Sequence, residues 1–162
     1  ALAFNADSLG VDMKTVKAAI VSNRDTMDRV VSRVSDTLDG NLRDKRIAVW
    51  GLAFKAGTDD VRESPAIVIV NALLEQGAKV FAFDPMAKLP AGEAITRSNS
   101  ELDACVDADV LLVLTEWPQF SLIEPSSVKA VMSKNPTVLD FRRVLDPKSW
   151  KQHFENFQLV GQ

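Results

Sequence analysis

A long polar loop joins a short apolar run to a helix start in the first half of the chain. Residues 46–50 (RIAVW) are apolar after the first position, Gly51 ends the run, and Ser64-Pro65 has the pattern of a helix N-cap and first position. Connections between strand and helix usually have about 2 to 6 residues, so the intervening segment 52–63 is long enough to indicate a functional loop. The pattern predicts a nucleotide-binding α/β unit. It lacks the G-x-G-x-x-G fingerprint, so side chains are expected to do more of the binding.

Short apolar runs alternate with helical segments from Arg46 onward. This alternation predicts βαβ units, and we expect an α/β fold with a Rossmann-like, doubly wound parallel sheet. Segment 66–76 contains a β-branched run that favours a strand, but Ser64-Pro65 before it and Gly77 after it predict a helix. Strands are expected near 46–51, 78–83, 109–114 and 136–140, with weaker ones near 94–96 and 157–160.

An amphipathic pattern precedes the sheet. Residues 12–38 place apolar side chains at steps of three, four and seven, which predicts one long helix. At about 1.5 Å per residue such a helix would reach roughly 40 Å, more than one small domain can cover. We expect it to connect two domains or to form an oligomer contact, with flat packing on its own domain as the alternative.

Composition excludes several classes of partner. A formal net charge of -3 and a pI near 5.2 give no basic footprint for nucleic acid and no polybasic membrane anchor. No apolar run approaches the roughly 20 residues of a membrane span, and residues 1–5 lack the features of a signal peptide. The single Cys105 cannot form an internal disulfide, so a cytoplasmic protein is expected. Its apolar surroundings predict a buried packing thiol, with a nucleophile as the alternative.

Charged side chains follow two of the expected strands, at the sheet edge where open α/β folds bind ligands. Asp84 ends the strand near 78–83 and either binds a ribose hydroxyl or forms an Asx turn before Pro85. Arg142 and Arg143 follow the strand near 136–140, and guanidinium groups suit phosphates because their donors form a rigid fork. Neighbours on an extended segment point to opposite sides, so we expect one arginine in the site and the other in solvent.

The loop 52–63 supplies the other candidate residues. Lys55 could place a point charge on a phosphate, Phe54 could form an apolar wall, and Arg62 could contact an anion near the helix N-terminus. The alternative is a surface ion network that pairs Lys55 or Arg62 with Asp59 or Asp60. No metal site is expected, and His153 is expected to be solvated.

Four segments resemble the C-terminal, UDP-binding domain of the UDP-glucose/GDP-mannose dehydrogenase family. They are GLAFKAGTDDVRESPA at 51–66, LLEQGAKV at 73–80 followed by Asp84-Pro85, TEWPQF at 115–120 and DFRRVLD at 140–146. The last resembles the D-G-R-x-x-x-D stretch of the family's UDP-glucose 6-dehydrogenases, with Phe141 in place of the usual glycine. By this resemblance, residues 1–45 are the end of a central connecting helix region and residues 46–162 are the nucleotide-sugar-binding domain.

The resemblance implies an activity for a longer enzyme. Members of the family oxidise the C6 hydroxyl of a nucleotide sugar to a carboxylate with two NAD+, through a cysteine thioester in an N-terminal Rossmann domain that also holds most of the NAD. By similarity, Phe54, Lys55 and Arg142 would contact the UDP-sugar, and Arg62 would reach the NAD pyrophosphate. The expected partners are the UDP-sugar, that N-terminal domain and a second copy of the chain through helix 12–38.

The same resemblance predicts no catalytic residue in this chain. It contains no G-x-G-x-x-G, and Cys105 lies outside the G-G-x-C-x-x-K-D context of the family's nucleophile, so the chain alone should be inactive. Phe141 could narrow the site or reflect another substrate such as a UDP-N-acetylhexosamine, and a GDP-mannose dehydrogenase also stays open as an alternative. Two further alternatives stay open: a non-catalytic nucleotide-binding or oligomerisation module, and a different doubly wound NAD enzyme that uses this domain for the dinucleotide.

Overall fold

The computed structural model describes residues 14–88 and 94–160. The helices are α1 (Lys14–Asp36), α2 (Pro65–Glu75), α3 (Glu101–Cys105), α4 (Pro125–Val131) and α5 (Pro147–His153), with a 3-10 helix at Pro118–Leu122. The strands are β1 (Arg46–Trp50), β2 (Lys79–Phe83), β3 (Thr96–Arg97), β4 (Val110–Val113), β5 (Thr137–Asp140) and β6 (Asn156–Leu159).

The six strands form one parallel sheet in the order β3-β2-β1-β4-β5-β6. The chain first winds outward from β1 to β3 and then returns to place β4 on the other side of β1. This is the doubly wound order that sequence alternation predicted, and in such sheets ligands bind at the carboxyl edge where the winding reverses. The fold prediction is therefore confirmed.

The core lies on both faces of the central strands. Every residue of β4 and β5 is buried, as is β1 after its first position, which explains why these strands are continuous apolar runs. On one side an aromatic cluster fills the space under α5 and β6. Trp150 stacks on Phe154 with ring centroids 5.4 Å apart and meets Trp50 edge to face at 6.1 Å.

The element bounds follow the sequence prediction closely, with differences at the sheet edges. Ser64 caps α2 by accepting from the Ala66 backbone nitrogen, and Gly77 follows the helix with φ 88°, as the helix boundary signals predicted. The expected strand near 94–96 is a two-residue strand at Thr96–Arg97. The short helix α3 was not predicted, because its five residues are too few for helical periodicity to show.

The core contacts of helix α1 fall in its C-terminal half. Val31 and Val34 are buried in the core, and both Arg33 Nε and Nη2 donate to Gln158 Oε1, at 3.0 and 2.7 Å. Ile20 and Val21 are 53% and 57% exposed. Among the described residues, no hydrophobic side chain of α1 before Met27 packs against the core, so this part of the predicted helix does not lie flat on the domain. Residues 12 and 13 of the predicted helix 12–38 lie outside the described residues.

Gly51 ends β1 at a position that admits no side chain. Its φ is +91°, and a Cβ built there would meet Thr115 Cβ and lie 2.7 Å from the Thr115 backbone nitrogen. This close approach brings the end of β1 against the segment that follows β4. Gly57 in the loop has a similar φ of +79° but nothing within 4 Å of a built Cβ.

We expect Gly51→Ala to destabilise the chain more than Gly57→Ala. Both variants strain a left-handed backbone, at about 1 to 2 kcal/mol, and only Gly51→Ala also forces Thr115 to move, which adds about 1 to 3 kcal/mol. Urea denaturation of the two variants measures the difference in free energy of unfolding. Equal losses would show that backbone conformation alone, not the approach of Thr115, requires glycine at position 51.

Candidate functional site

The loop 52–63 is closed at its base by hydrogen bonds. Ser64 Oγ donates to the Leu52 carbonyl at 2.8 Å, and the Phe54 backbone nitrogen donates to the Asp60 carbonyl at 2.9 Å. These bonds turn a long connection into a compact loop with its ends together, a form that is frequently functional. The Phe54 side chain is exposed on this loop.

A buried carboxylate anchors the start of the loop. Asp84 Oδ2 accepts from the backbone nitrogens of Leu52 and Ala53, at 2.7 and 2.9 Å, and from Trp117 Nε1 at 3.1 Å. Its Oδ1 accepts from the backbone nitrogens of Met86 and Ala87, at 2.9 and 2.7 Å. The structure thus assigns Asp84 to an Asx turn and a loop anchor, not to a ribose hydroxyl.

The charge of Asp84 is retained in spite of its burial. Burial raises the pKa of this carboxyl, but the donating backbone N–H groups outweigh burial and hold the pKa below its usual value. An ionised Asp84 therefore accepts hydrogen bonds from three separate segments: the loop after β1, the turn after β2 and the stretch after β4.

Leu114 and Thr115, just after β4, connect the loop 52–63 to the arginine that follows β5. Thr115 Oγ1 donates to the Ala53 carbonyl at 2.8 Å, next to the start of the exposed part of the loop. Arg142 Nε donates to the Leu114 carbonyl, also at 2.8 Å. The segments that carry Phe54 and Arg142 are thus both held by Leu114-Thr115. Two of the residues predicted to contact the substrate are therefore brought to the same part of the sheet edge.

Asp140 shapes the turn that carries Arg142. Its Oδ1 accepts from the backbone nitrogens of Arg142 and Arg143, and its Oδ2 accepts from Leu145, each at 2.8 Å. Arg143 has φ 58°, so the segment is a tight turn and not extended. The expectation that the two arginines alternate on an extended segment is therefore wrong, although among the described residues only Arg142, of the two, makes a side-chain hydrogen bond.

The other two predicted residues lie on the loop and are exposed. Lys55 has no ion pair within the part of the chain that the structure describes. Arg62 forms a forked pair with Asp60, Nε to Oδ1 and Nη2 to Oδ2, both at 2.9 Å. The Arg62 guanidinium lowers the pKa of Asp60 to about 2 through this hydrogen bond. The Arg62 side chain is 87% exposed, so the pair is open to exchange with another anion.

Clefts on the described surface include one beside the candidate loop and one away from it. One, of about 300 Å³, is lined by Asp59, Asp60, Val61, Arg62 and Lys88, and lies beside the loop 52–63. The larger, of about 400 Å³, is lined by Arg33, Asp36, Thr37, Thr137, Asn156 and Gln158. It lies at the amino ends of β5 and β6, away from the predicted site, so size does not identify the functional cleft here.

Within the described residues, neither the cysteine nor the potential metal ligands form a reactive site. Cys105 is fully buried, and burial raises the pKa of its thiol to about 12, which confirms a packing role over a nucleophile. Residues 14–88 and 94–160 bring no three His, Cys, Asp or Glu side chains together as metal ligands. None of the helices described is long and apolar enough to cross a membrane. Phe141 is partly buried against the core.

Sequence reasoning missed three residues that organise the site. Thr115 and Asp140 are buried and hold backbone groups of the neighbouring loops, and Glu116 Oε2 lies 3.5 Å from Arg142 Nε. The position of a polar residue just after an apolar strand is the signal that could have singled out Thr115 and Asp140. Nothing in the local sequence singles out Glu116. Its partner Arg142 lies 26 residues further along the chain and comes near it only because β4 and β5 pair in the sheet.

Comparison with known proteins gives a consistent result. The model of the UDP-glucose/GDP-mannose dehydrogenase family, UDP binding domain, matches residues 48–147. The UDP-glucose 6-dehydrogenase of Rickettsia conorii is 37% identical over 156 residues, which cover 93% of this chain and 36% of the relative. That of Pseudomonas aeruginosa is 32% identical over 170 residues, covering 99% and 37%. The chain thus spans about a third of the length of the curated relatives it matches.

Solved structures agree with the sequence relatives. The UDP-glucose dehydrogenase of Pyrobaculum islandicum superposes with a TM-score of 0.75 at 28% identity, covering 98% of this chain and 34% of that one. The NDP-N-acetyl-D-galactosaminuronic acid dehydrogenase of Methanosarcina mazei gives 0.74 at 25% identity, covering 91% and 31%.

We expect Asp84→Asn to destabilise the chain in a pH-dependent way. Because the native pKa of Asp84 is lowered, its charge stabilises the fold above about pH 4, where an unfolded aspartate is ionised, and that stability is lost as the pH falls through the native value. The variant should lose about 1 to 3 kcal/mol at pH 7, and the gap to the wild type should narrow as the pH falls below about 4. Urea denaturation at several pH values measures both effects.

Asp44→Asn is the matched control for this experiment. Asp44 pairs with Lys79 at 2.8 Å, but both side chains are exposed, and surface pairs of this kind contribute little. Equal losses in the two variants, or a loss at Asp84 that does not change with pH, would contradict the role of Asp84 as a charged anchor.

Proposed function

Because the chain belongs to the UDP-glucose/GDP-mannose dehydrogenase family, we propose that its carboxyl sheet edge binds the nucleoside diphosphate part of a UDP-sugar. The enzyme we propose is an NAD-dependent UDP-glucose 6-dehydrogenase, which oxidises UDP-glucose to UDP-glucuronate in two steps. This chain is its UDP-binding domain.

One observation carries the proposal. Leu114 and Thr115 are each hydrogen-bonded to one of two segments that we call the arms of the site: the loop 52–63 and the turn that carries Arg142. Thr115 holds the loop that bears Phe54 and Lys55, and the Leu114 carbonyl holds Arg142 by its Nε. Strands β1 and β5 are separated only by β4, so their ends lie about 10 Å apart. A ligand of nucleotide size can therefore contact both arms.

The chemistry of the two arms suits a nucleoside diphosphate. Arg142 uses its Nε on the Leu114 carbonyl, which leaves both Nη groups for the planar, bidentate contact that phosphate oxygens accept. Lys55 adds a point charge, and the exposed ring of Phe54 adds an apolar surface for a base or sugar. All three contacts can be made without breaking a hydrogen bond seen in the free chain.

The cofactor and the chemical steps are assigned to another part of the enzyme. We propose that an N-terminal Rossmann domain supplies the NAD site and the cysteine nucleophile, because Cys105 is buried with a raised pKa. Arg62 is the residue of this chain proposed to reach the NAD pyrophosphate. Its exposed pair with Asp60 would have to exchange for that contact, at little cost for a surface pair.

The projecting part of α1 supports a homodimer. Ile20 and Val21 are more than half exposed, on a helix whose described core contacts begin at Met27. An apolar stretch of this kind is typical of a contact surface, and a second copy of the same helix is its proposed partner. A cytoplasmic location is proposed together with this assembly, on the strength of the single, buried cysteine.

We expect UDP to bind the chain in a way that depends on salt and on specific side chains. Arg142→Ala and Lys55→Ala should each weaken binding by about 1 to 3 kcal/mol, the range for a charge-assisted contact. Arg143→Ala is the matched control, since it removes the same charge from a neighbouring residue, and it should cost much less. Calorimetric titration at two salt concentrations measures the set.

Two results would contradict this site. Equal losses at Arg142 and Arg143 would show that net charge, not the held guanidinium, governs binding. No response to millimolar UDP would remove the site assignment and leave the fold unaffected.

We expect the chain to dimerise through α1. Replacing Ile20 and Val21 together by Asp should shift the population to monomer, because charge would be buried at the contact. Val68→Asp, at another exposed apolar position on α2, is the matched control and should leave the assembly unchanged. Sedimentation equilibrium measures the mass, and a wild-type monomer at high concentration would contradict the proposal.

A further inference from the structure

Glu116 lies beside the arginine that the proposed function places on the diphosphate. Its Oε2 is 3.5 Å from Arg142 Nε, and the two side chains are 45% and 36% exposed. The same Nε already donates to the Leu114 carbonyl at 2.8 Å. The carbonyl is therefore the close hydrogen-bond partner of Arg142, and the carboxylate acts on it mainly through charge.

The two contacts of Arg142 use its Nε and leave its Nη groups open to a ligand. Both contacts fall on Nε, and no other part of the described chain pairs with the Nη groups. An anion that accepts from those groups at about 2.9 Å would lie roughly 5 to 8 Å from Glu116 Oε2, which is 3.5 Å from Nε. At that separation two negative charges still repel each other, since the distance does not exceed the roughly 8 Å screening length at physiological salt.

We propose that Glu116 is a specificity-determining residue that opposes anionic ligands at Arg142. This inference rests on the proposed function of the site. The carboxylate partly offsets the guanidinium charge, so the site binds a diphosphate more weakly than the geometry of Arg142 alone would allow. A ligand must then supply further contacts through its base or sugar to bind well, and a bare phosphate group is disfavoured.

The test compares Glu116→Gln with the wild-type chain, using UDP and uridine as probes. Glutamine keeps the size and removes the charge, so UDP should bind about two- to fivefold more tightly, the range expected for one exposed charge pair. Uridine carries no phosphate, and its affinity should not change. The gain for UDP should shrink as salt rises.

Glu75→Gln is the matched control. Glu75 is exposed at the C-terminal end of α2, which leads into the amino end of β2, and its replacement changes the net charge by the same amount far from Arg142. Its affinity for UDP should equal that of the wild type. An equal gain in Glu75→Gln would overturn the proposal, because net charge alone would then explain the effect.

A ligand-free readout tests the pair itself. The Nε–H resonance of Arg142, assigned by its loss in Arg142→Ala, should shift in Glu116→Gln and stay in place in Glu75→Gln. Weaker or unchanged UDP binding in Glu116→Gln would overturn the inference and leave the proposed function intact, since it would show that the carboxylate only positions Arg142 or does not act on it. A wild-type chain that binds no UDP would overturn both.

Discussion

The Asp84 carboxylate is the interaction on which the arrangement of the site depends. A buried charge is costly unless hydrogen bonds replace its hydration, and here backbone donors from two segments and the Trp117 indole do so. Without this acceptor, each donor segment would lose one of the bonds that hold it in place. The loop after β1 and the stretch after β4 are thereby held against each other, and Gly51 lets them approach closely enough for Thr115 to complete the contact.

The fold could be predicted because its signals are local. Ser64-Pro65 and Gly77 marked both ends of α2, and they correctly outweighed the β-branched run between them. Continuous apolar runs marked the central strands, which are buried on both faces. The weaker edge strands could be placed only approximately, since an edge strand of two residues is too short to show a pattern of its own.

The candidate site could be predicted only as a set of residue types at one edge of the sheet, and its role in binding stays a prediction. Phe54, Lys55 and Arg142 followed from the position of their segments after strands, but their partners did not. Arg62 pairs with Asp60, Asp84 serves the backbone, and Glu116 meets Arg142 only because β4 and β5 are neighbours in the sheet. Such pairings depend on turn conformation and strand order, which spacing along the chain does not encode.

Helix α1 has a mechanical consequence that follows from where it is anchored. Its packing against the core falls between Met27 and Val34, and Arg33 adds a hydrogen bond to Gln158. Ile20 is roughly 20 Å from Val34 at about 1.5 Å per residue. A rotation of about 10° at the packed end would displace Ile20 by roughly 4 Å, so a small adjustment in the packing of Val34 would become a larger movement of any surface that Ile20 contacts.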